Sequence, residues 1–222
     1  MPAVKKEQIQ FFQDKLLEWY ESNGRQFPWR EEGLSEFQLI IAEILLQRTK
    51  AETVAKFYEK FLKDFQSWNS LVKADLERIE EYLKPIGLQK QRAKRLHDLA
   101  IDMKRRKGIL PSERSELETI PLFGQYIVNA IELLIFDKKL PLIDVNMSRV
   151  LERYFGKRKM ADIRYDPYLQ KLAIKVVNHP QSKEINWAIL DFGALICKSR
   201  KPLCTICLLK SNCKFFNSEI RY

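Results

Sequence analysis

Four cysteines lie close together near the C-terminal end of the sequence, at Cys197, Cys204, Cys207 and Cys213. Six, two and five residues separate them in that order, so one short loop carries all four thiols. A compact loop of thiolates is typical of a [4Fe-4S] cluster. Tetrahedral zinc is the alternative, although its usual pattern has two separated Cys-x-x-Cys pairs. Uncoordinated cysteines are a third interpretation.

Three carboxylates also occupy positions where they could do chemistry. Glu43 and Asp191 interrupt the apolar segments 39–46 and 185–196, which we expect to be central helices. A buried carboxylate is costly unless it is paired or used. We interpret Asp191 as structural, and for Glu43 a structural and a functional role both remain open at this point. Asp144 precedes another helical segment, a position typical of an N-cap.

The elements that position these side chains are predicted to be helices throughout. Apolar residues recur at helical spacing in the segments 9–20, 54–65 and 96–103, and the chain contains only seven glycines. The segment 116–136 indicates a helical hairpin, with a tight turn at Pro121-Leu122-Phe123-Gly124 and a longer helix from Gln125. The backbone N–H groups of such a turn can bind a phosphate.

The charge balance favours a polyanionic partner. Lysine and arginine number 39 against 29 acidic residues, which gives a net charge of +10 and a pI near 9.4. A solvated basic surface is the alternative interpretation. We find no targeting segment and no apolar run of the ~20 residues that a membrane span needs, so we expect a cytoplasmic protein without membrane contact. In a reducing compartment the cysteines favour metal ligation over disulfides.

The hairpin, the segment Leu-Ile-Asp-Val-Asn-Met-Ser-Arg-Val around Asp144 and the cysteine loop follow one another in the order found in helix-hairpin-helix DNA glycosylases. From Phe27 to Cys213 the chain resembles endonuclease III, the adenine glycosylase MutY and the archaeal thymine-mismatch glycosylases. The resemblance implies an all-α fold of two lobes. One lobe, 25–135, would contain the hairpin, and the other, 1–24 plus 136–222, would carry the [4Fe-4S] cluster.

The resemblance also assigns roles to single residues. Asp144 matches the catalytic aspartate, whose charge stabilises a positively charged sugar. Glu43 matches an acid found in the MutY and thymine-mismatch enzymes. Tyr126 stands where bifunctional members have a lysine, so β-elimination of the DNA strand should be weak or absent. Leu122 departs from the usual Pro-Gly-x-Gly hairpin, and the loss of this glycine is expected to alter how closely a phosphate approaches the turn.

Further residues match the parts of the family that contact DNA after the target base has been flipped out. We expect Trp187 beside the flipped base, and we expect wedge or backbone contacts from Gln47, Arg48, Leu88, Gln89, Lys90, Phe123, Gly124 and Gln125.

The resemblance thus predicts a monomeric, prokaryotic, nucleoid-associated base-excision repair enzyme that acts on double-stranded DNA. A monofunctional glycosylase for thymine or uracil opposite guanine fits best, because Tyr126 argues against the endonuclease III type. The sequence around Gly87 also lacks the paired tyrosines of MutY, and the chain ends soon after the cysteine loop. An adenine glycosylase, a glycosylase for another modified pyrimidine, a catalytically silent DNA-binding protein and a zinc-stabilised adaptor remain alternatives.

Overall fold

The structure is a computed structural model that describes residues 4–219, and of Glu219 only the backbone. About 65% of it is helical, and no strand occurs within this range, which confirms the all-α prediction. The helices of the described part are α1 (Lys6–Asn23), α2 (Glu36–Leu46), α3 (Ala51–Ala55), α4 (Tyr58–Asp64), α5 (Trp68–Lys73), α6 (Leu76–Leu83), α7 (Gln89–Arg105), α8 (Arg114–Leu117), α9 (Gln125–Leu134), α10 (Val145–Phe155), α11 (Pro167–Val177), α12 (Ser182–Leu195) and α13 (Lys214–Glu219). Short 3-10 helices occur at Pro28–Arg30, Lys84–Ile86, Cys204–Ile206 and Lys210–Asn212.

The chain forms two compact units. One unit is continuous, Gln26–Ile131, and the other combines Met1–Arg25 with Glu132–Tyr222. The chain passes from the first to the second inside α9. The predicted lobes, 25–135 and the remainder, instead assigned the whole of this helix to one side.

Within the unit 26–131, helices α5 and α6 pack on α7 and bury its apolar stripe. Aromatic rings fill much of the core. The ring of Phe37 meets that of Trp68 edge to face at 4.8 Å, and Phe61 contacts both Phe65 and Tyr82. Such pairs add to the free energy gained from burial alone.

The apolar stripe 54–65 does not form one helix as its spacing suggests. Helix α3 ends at Ala55 and α4 begins at Tyr58, because Phe57 leaves helical geometry with φ −131°. The break lets the neighbouring rings of Phe57 and Tyr58 both be buried, at 8% and 1% exposure. In a continuous helix, adjacent side chains would diverge by about 100°.

In the other unit, α1 packs against α11 and α12, and α10 packs against α11, α12 and α13. The ring of Phe12 lies 4.9 Å from that of Tyr154 and 5.1 Å from that of Phe155. Gly193 allows the close approach of α12 to α10, because a Cβ atom added there would lie 2.9 Å from the Cβ of Asn146.

Asp191 has the structural role expected from the sequence. It is fully buried, and its carboxylate accepts hydrogen bonds from the backbone N–H and the Nε of Arg25, both at 2.8 Å. This pair ties the end of the N-terminal segment to α12. None of the helices among residues 4–219 is long and apolar enough to cross a membrane.

Candidate active site

The first candidate group is Glu43, at the middle of α2. Ser35 and Gln38 cap the start of this helix reciprocally, and Gln38 Oε1 accepts the Ser35 N–H at 2.8 Å. The following residues are apolar on nearly every face, so the helix runs through the core and carries Glu43 with it at 6% exposure. The sequence therefore forces a carboxyl group out of water.

Two neighbours within the same unit interact with this carboxyl group. The phenol of Tyr126, in the first turn of α9, hydrogen-bonds it, and the Arg30 guanidinium lies close enough to attract its charge. Burial dominates over both and raises the pKa of Glu43 from 4.5 to about 7. Its Oε2 atom is buried and has no hydrogen-bond partner within the part of the chain that the structure describes.

Aromatic side chains pack beside Arg30, the charged neighbour of Glu43. Phe27 and Trp29 stack at 4.8 Å, the guanidinium of Arg30 lies 5.2 Å from the centre of the Phe27 ring, and Trp29 meets Tyr58 edge to face. The Tyr58 hydroxyl donates to the Gln38 carbonyl at 2.9 Å. Burial and the charge of Glu43 raise the pKa of Tyr58, so this phenol keeps its proton. A surface cavity of about 370 Å³ is lined by Arg30 and its neighbours Gln26, Phe27, Pro28, Glu31 and Glu32.

The predicted hairpin turn lies between α8 and α9. Leu122, which replaces the usual glycine, adopts φ +70°, a left-handed conformation that favours glycine. Phe123 is only 3% exposed, so its side chain packs inside and only its backbone is available to a partner. A Cβ atom at Gly124 would meet nothing within 4 Å, which leaves open the backbone before Gln125, where α9 begins.

The two predicted wedge segments lie in the same unit as Glu43. Arg48 and Leu88 are both exposed and both adopt left-handed backbone conformations, with φ +55° and +52°. Arg92, which the sequence did not single out, donates to the Gln47 carbonyl at 2.9 Å. Two further predicted contact residues lie at the start of α7, where Gln89 is half-buried and Lys90 is exposed. Trp187, which was predicted to lie beside the flipped base, belongs to the other unit and is half-buried on α12.

Asp144 is the N-cap of α10, as its position before the helix suggested. Its Oδ1 accepts the backbone N–H groups of Asn146 and Met147 at 2.8 and 2.7 Å, and Oδ2 accepts the side-chain amide of Asn146 at 2.8 Å. Burial raises the pKa of Asp144, while these hydrogen bonds and the charge of Arg149 oppose the rise. The carboxylate is therefore held in a fixed orientation at a helix N-terminus.

A chain of hydrogen bonds connects Asp144 to the first cysteine within this unit. The Asn146 side-chain oxygen accepts from Arg149 Nη2 at 2.8 Å, and Arg149 Nε donates to the Cys197 carbonyl at 2.8 Å. Arg153 lies one turn further along α10 and donates to Cys197 Sγ at 3.4 Å and to the Lys198 carbonyl at 2.7 Å. Sequence reasoning placed Asn146 and Arg149 in a motif but gave them no role.

All four cysteines line one cavity, together with Arg153 and Phe215. Burial raises the pKa of Cys207 to about 11, and the other three thiols contribute to the rise, which reflects their proximity. Within residues 4–219 no three histidine, cysteine or acidic side chains are placed to hold a single metal ion. Four thiols around one cavity are the kind of donor set with which cysteines ligate an iron–sulfur cluster.

Comparison with known proteins identifies relatives along nearly the whole chain. A thymine-DNA glycosylase of Aeropyrum pernix is 33% identical over 99% of this chain and 100% of the relative. A thymine/uracil-DNA glycosylase of Pyrobaculum aerophilum is 33% identical over 95% of this chain and 94% of the relative. The solved structure of a thermostable thymine-DNA glycosylase superposes with a TM-score of 0.87 at 31% identity, covering 96% of this chain and 98% of that one.

The family of these relatives also includes glycosylases with an iron–sulfur cluster, which are of the endonuclease III and MutY types. A family model described as the HhH-GPD superfamily base excision DNA repair protein matches residues 41–175, which span Glu43, the hairpin turn, Tyr126 and Asp144. With this match and the 33% identity, the chain belongs to the HhH-GPD superfamily of base excision DNA repair proteins.

Proposed function

We propose that this protein is a monofunctional DNA glycosylase that hydrolyses the N-glycosidic bond of thymine or uracil opposite guanine. The observation that carries the proposal is the buried pair of Glu43 and Tyr126, an acid with a pKa of about 7 beside a phenol that cannot form an imine. The names of the relatives support the choice of base.

Asp144 would supply the negative charge at the sugar. Breaking the glycosidic bond builds positive charge on the deoxyribose, and a fixed carboxylate stabilises that charge without having to reorganise. Three hydrogen bonds from Asn146 and Met147 hold the carboxylate in one orientation. The same carboxylate can orient or activate the attacking water.

Glu43 would supply a proton to the leaving base. With a pKa of about 7, roughly half of the molecules carry this proton at neutral pH, so the group can act as a general acid. The Tyr126 phenol orients the carboxyl group through its hydrogen bond.

Strand cleavage by β-elimination needs an amine next to the sugar. At the position where bifunctional relatives carry that lysine this chain has Tyr126. Lys138, a few residues beyond the end of α9, pairs at 2.9 Å with the buried carboxylate of Glu132. Base release should therefore leave an intact abasic strand.

The cysteine loop is proposed to hold a [4Fe-4S] cluster through Cys197, Cys204, Cys207 and Cys213. Such a cluster, when bound, supplies four strong bonds to thiolates that order the loop. Lysines and arginines on this loop and the turn before Gln125 would then contact DNA phosphates, as the double-stranded DNA partner requires.

One panel of duplexes tests the proposal. Thymine, uracil and a modified cytosine opposite guanine, and adenine opposite 8-oxoguanine, are incubated with excess protein and analysed with and without alkali. We expect strand breaks only after alkali and only for thymine or uracil opposite guanine. Excision of adenine would indicate the MutY type instead, and no excision from any duplex would leave a DNA-binding protein. Absorbance near ~400 nm after anaerobic purification tests the cluster separately.

A further inference from the structure

The two wedge segments are joined by a contact that neither the sequence nor the proposed chemistry assigns. Arg92 lies in the first turn of α7, and its Nη2 donates to the Gln47 carbonyl at 2.9 Å and to the Thr49 hydroxyl at 3.3 Å. Its own backbone N–H is bonded to the Leu88 carbonyl at 2.9 Å. One residue therefore contacts both the segment that follows α2 and the segment that starts α7.

This contact is made where the backbone needs support. Arg48 and Leu88 both adopt left-handed conformations that cost free energy for residues other than glycine. Such conformations persist only where surrounding contacts fix them. A charged donor on the carbonyl that directly precedes Arg48 is a contact of this kind, and charge-assisted hydrogen bonds are stronger than neutral ones.

A second guanidinium group, that of Arg48, lies near Arg92. Burial lowers the pKa of Arg92, and the nearby charge of Arg48 contributes to this. Arg92, which is partly buried, holds the two acceptors, and Arg48 remains exposed. Leu88, at 70% exposure, is the most exposed of the large apolar side chains that the structure describes.

We propose that Arg92 is a positioning residue that clamps the segment 47–49 to the start of α7, so that Arg48 and Leu88 enter the DNA base stack as one preorganised pair. This inference rests on the proposed glycosylase function. A preorganised wedge lowers the cost of unstacking and replacing the flipped base. Arg92 itself need not touch DNA or the reacting atoms.

The test compares Arg92→Met with Arg95→Met, which removes an exposed charge one turn further along α7. Arg92→Met keeps a chain of similar length but loses both donors. Hydrogen exchange of the free protein should become faster on the order of tenfold across residues 46–50, and the Arg95 variant should match the wild type. Unchanged exchange in the Arg92 variant overturns the clamp, whatever the protein does to DNA.

Single-turnover excision then tests the consequence for the wedge. On a fully paired duplex, Arg92→Met should excise about tenfold or more slowly than Arg95→Met. On a duplex whose target base lies in a short unpaired bubble, the two variants should differ by less than about threefold, because little unstacking remains to be done. An equal loss on both substrates contradicts the proposal, since a general structural defect would have that effect.

Arg92→Lys separates geometry from charge. Lysine keeps the charge, but its side chain ends one bond short of the position of Arg92 Nη2, the atom that donates to both acceptors. We therefore expect Arg92→Lys to fall between the wild type and Arg92→Met on the paired duplex. Wild-type rates for Arg92→Lys would show that only the charge matters and would refute the clamp. If the wild-type protein excises no base, the proposed function is refuted. The hydrogen-exchange experiment still tests the contact of Arg92 with residues 47–49, because it needs no DNA.

Discussion

Replacing Glu43 with glutamine should stabilise the protein and slow excision, and the stabilisation should depend on pH. Glutamine has the same shape and can still accept the hydrogen bond of Tyr126, but it carries no charge to bury. In the wild type, burial raises the pKa of Glu43 from 4.5 to about 7. The cost of the buried charge is absent below the unfolded pKa, increases as the pH rises between about 4.5 and 7, and is complete above 7.

The size of the effect follows from this difference in pKa. At 1.36 kcal/mol per pKa unit, ionised Glu43 lowers the free energy of unfolding by about 3 kcal/mol at pH 8. Glu43→Gln should recover most of this amount at pH 8. At pH 5 it should recover less than about 1 kcal/mol, because this pH lies only about half a unit above the unfolded pKa of 4.5 and folded Glu43 stays largely protonated there. With a urea dependence of about 3 kcal/mol per molar, the midpoint at pH 8 should rise by about 1 M.

Urea unfolding, followed by tryptophan fluorescence, measures the change in the free energy of unfolding at pH 5 and at pH 8. Glu36→Gln is the matched control, because Glu36 lies exposed on the same helix and its charge is not buried. The Glu43 variant should also excise at least about 10²-fold more slowly in single-turnover assays, since it has no proton to give. A stability gain that is equal at both pH values, or a loss of stability at pH 8, would refute the burial argument.

Three further predictions concern single residues. Asp144→Asn should keep its capping hydrogen bonds and bind DNA normally but excise about 10²-fold or more slowly, whereas Asp144→Ala should in addition lose about 1 kcal/mol of stability in urea. Borohydride should trap no adduct between the wild-type protein and its substrate, while Tyr126→Lys should yield some; a lesion-dependent wild-type adduct would contradict our assignment of Tyr126. Leu122→Val should lower the unfolding free energy by about 1–2 kcal/mol because a β-branched residue tolerates φ +70° poorly, and Leu122→Gly should change it by less than about 1 kcal/mol; equal effects of the two would show that the turn is not strained.

The helices were largely predictable because apolar spacing is a local property. The two segments that are apolar nearly all round became α2 and α12, each with most of its residues buried. The break between α3 and α4 was not predicted. It depends on how Phe57 and Tyr58 both reach the core, and spacing along one helix carries no information about that.

The site residues were predictable where a side chain is itself the signal. The four thiols, the acid on a buried helix and the tyrosine in place of lysine all stand out in the sequence. Arg92 and Arg149 did not, because their acceptors include the backbone carbonyls of Gln47 and Cys197, and every residue has such a carbonyl. The raised pKa of Glu43 depends on the packing around it. The sequence alone can indicate the direction of this pKa shift, because the acid lies on a buried helix, but not its size.

The packing of α1 on α11 and α12 has a consequence for the way the chain is made. This helix is synthesised before residues 26–131, but the helices that cover its apolar face are synthesised after them. The unit 26–131 is continuous and can fold in the meantime, because domains generally fold as units during synthesis. Phe12 and Leu16, which are fully buried in the finished protein, stay exposed throughout that interval. Chaperones that bind apolar segments on nascent chains would therefore find a binding site on α1 while the rest of the chain is still being made.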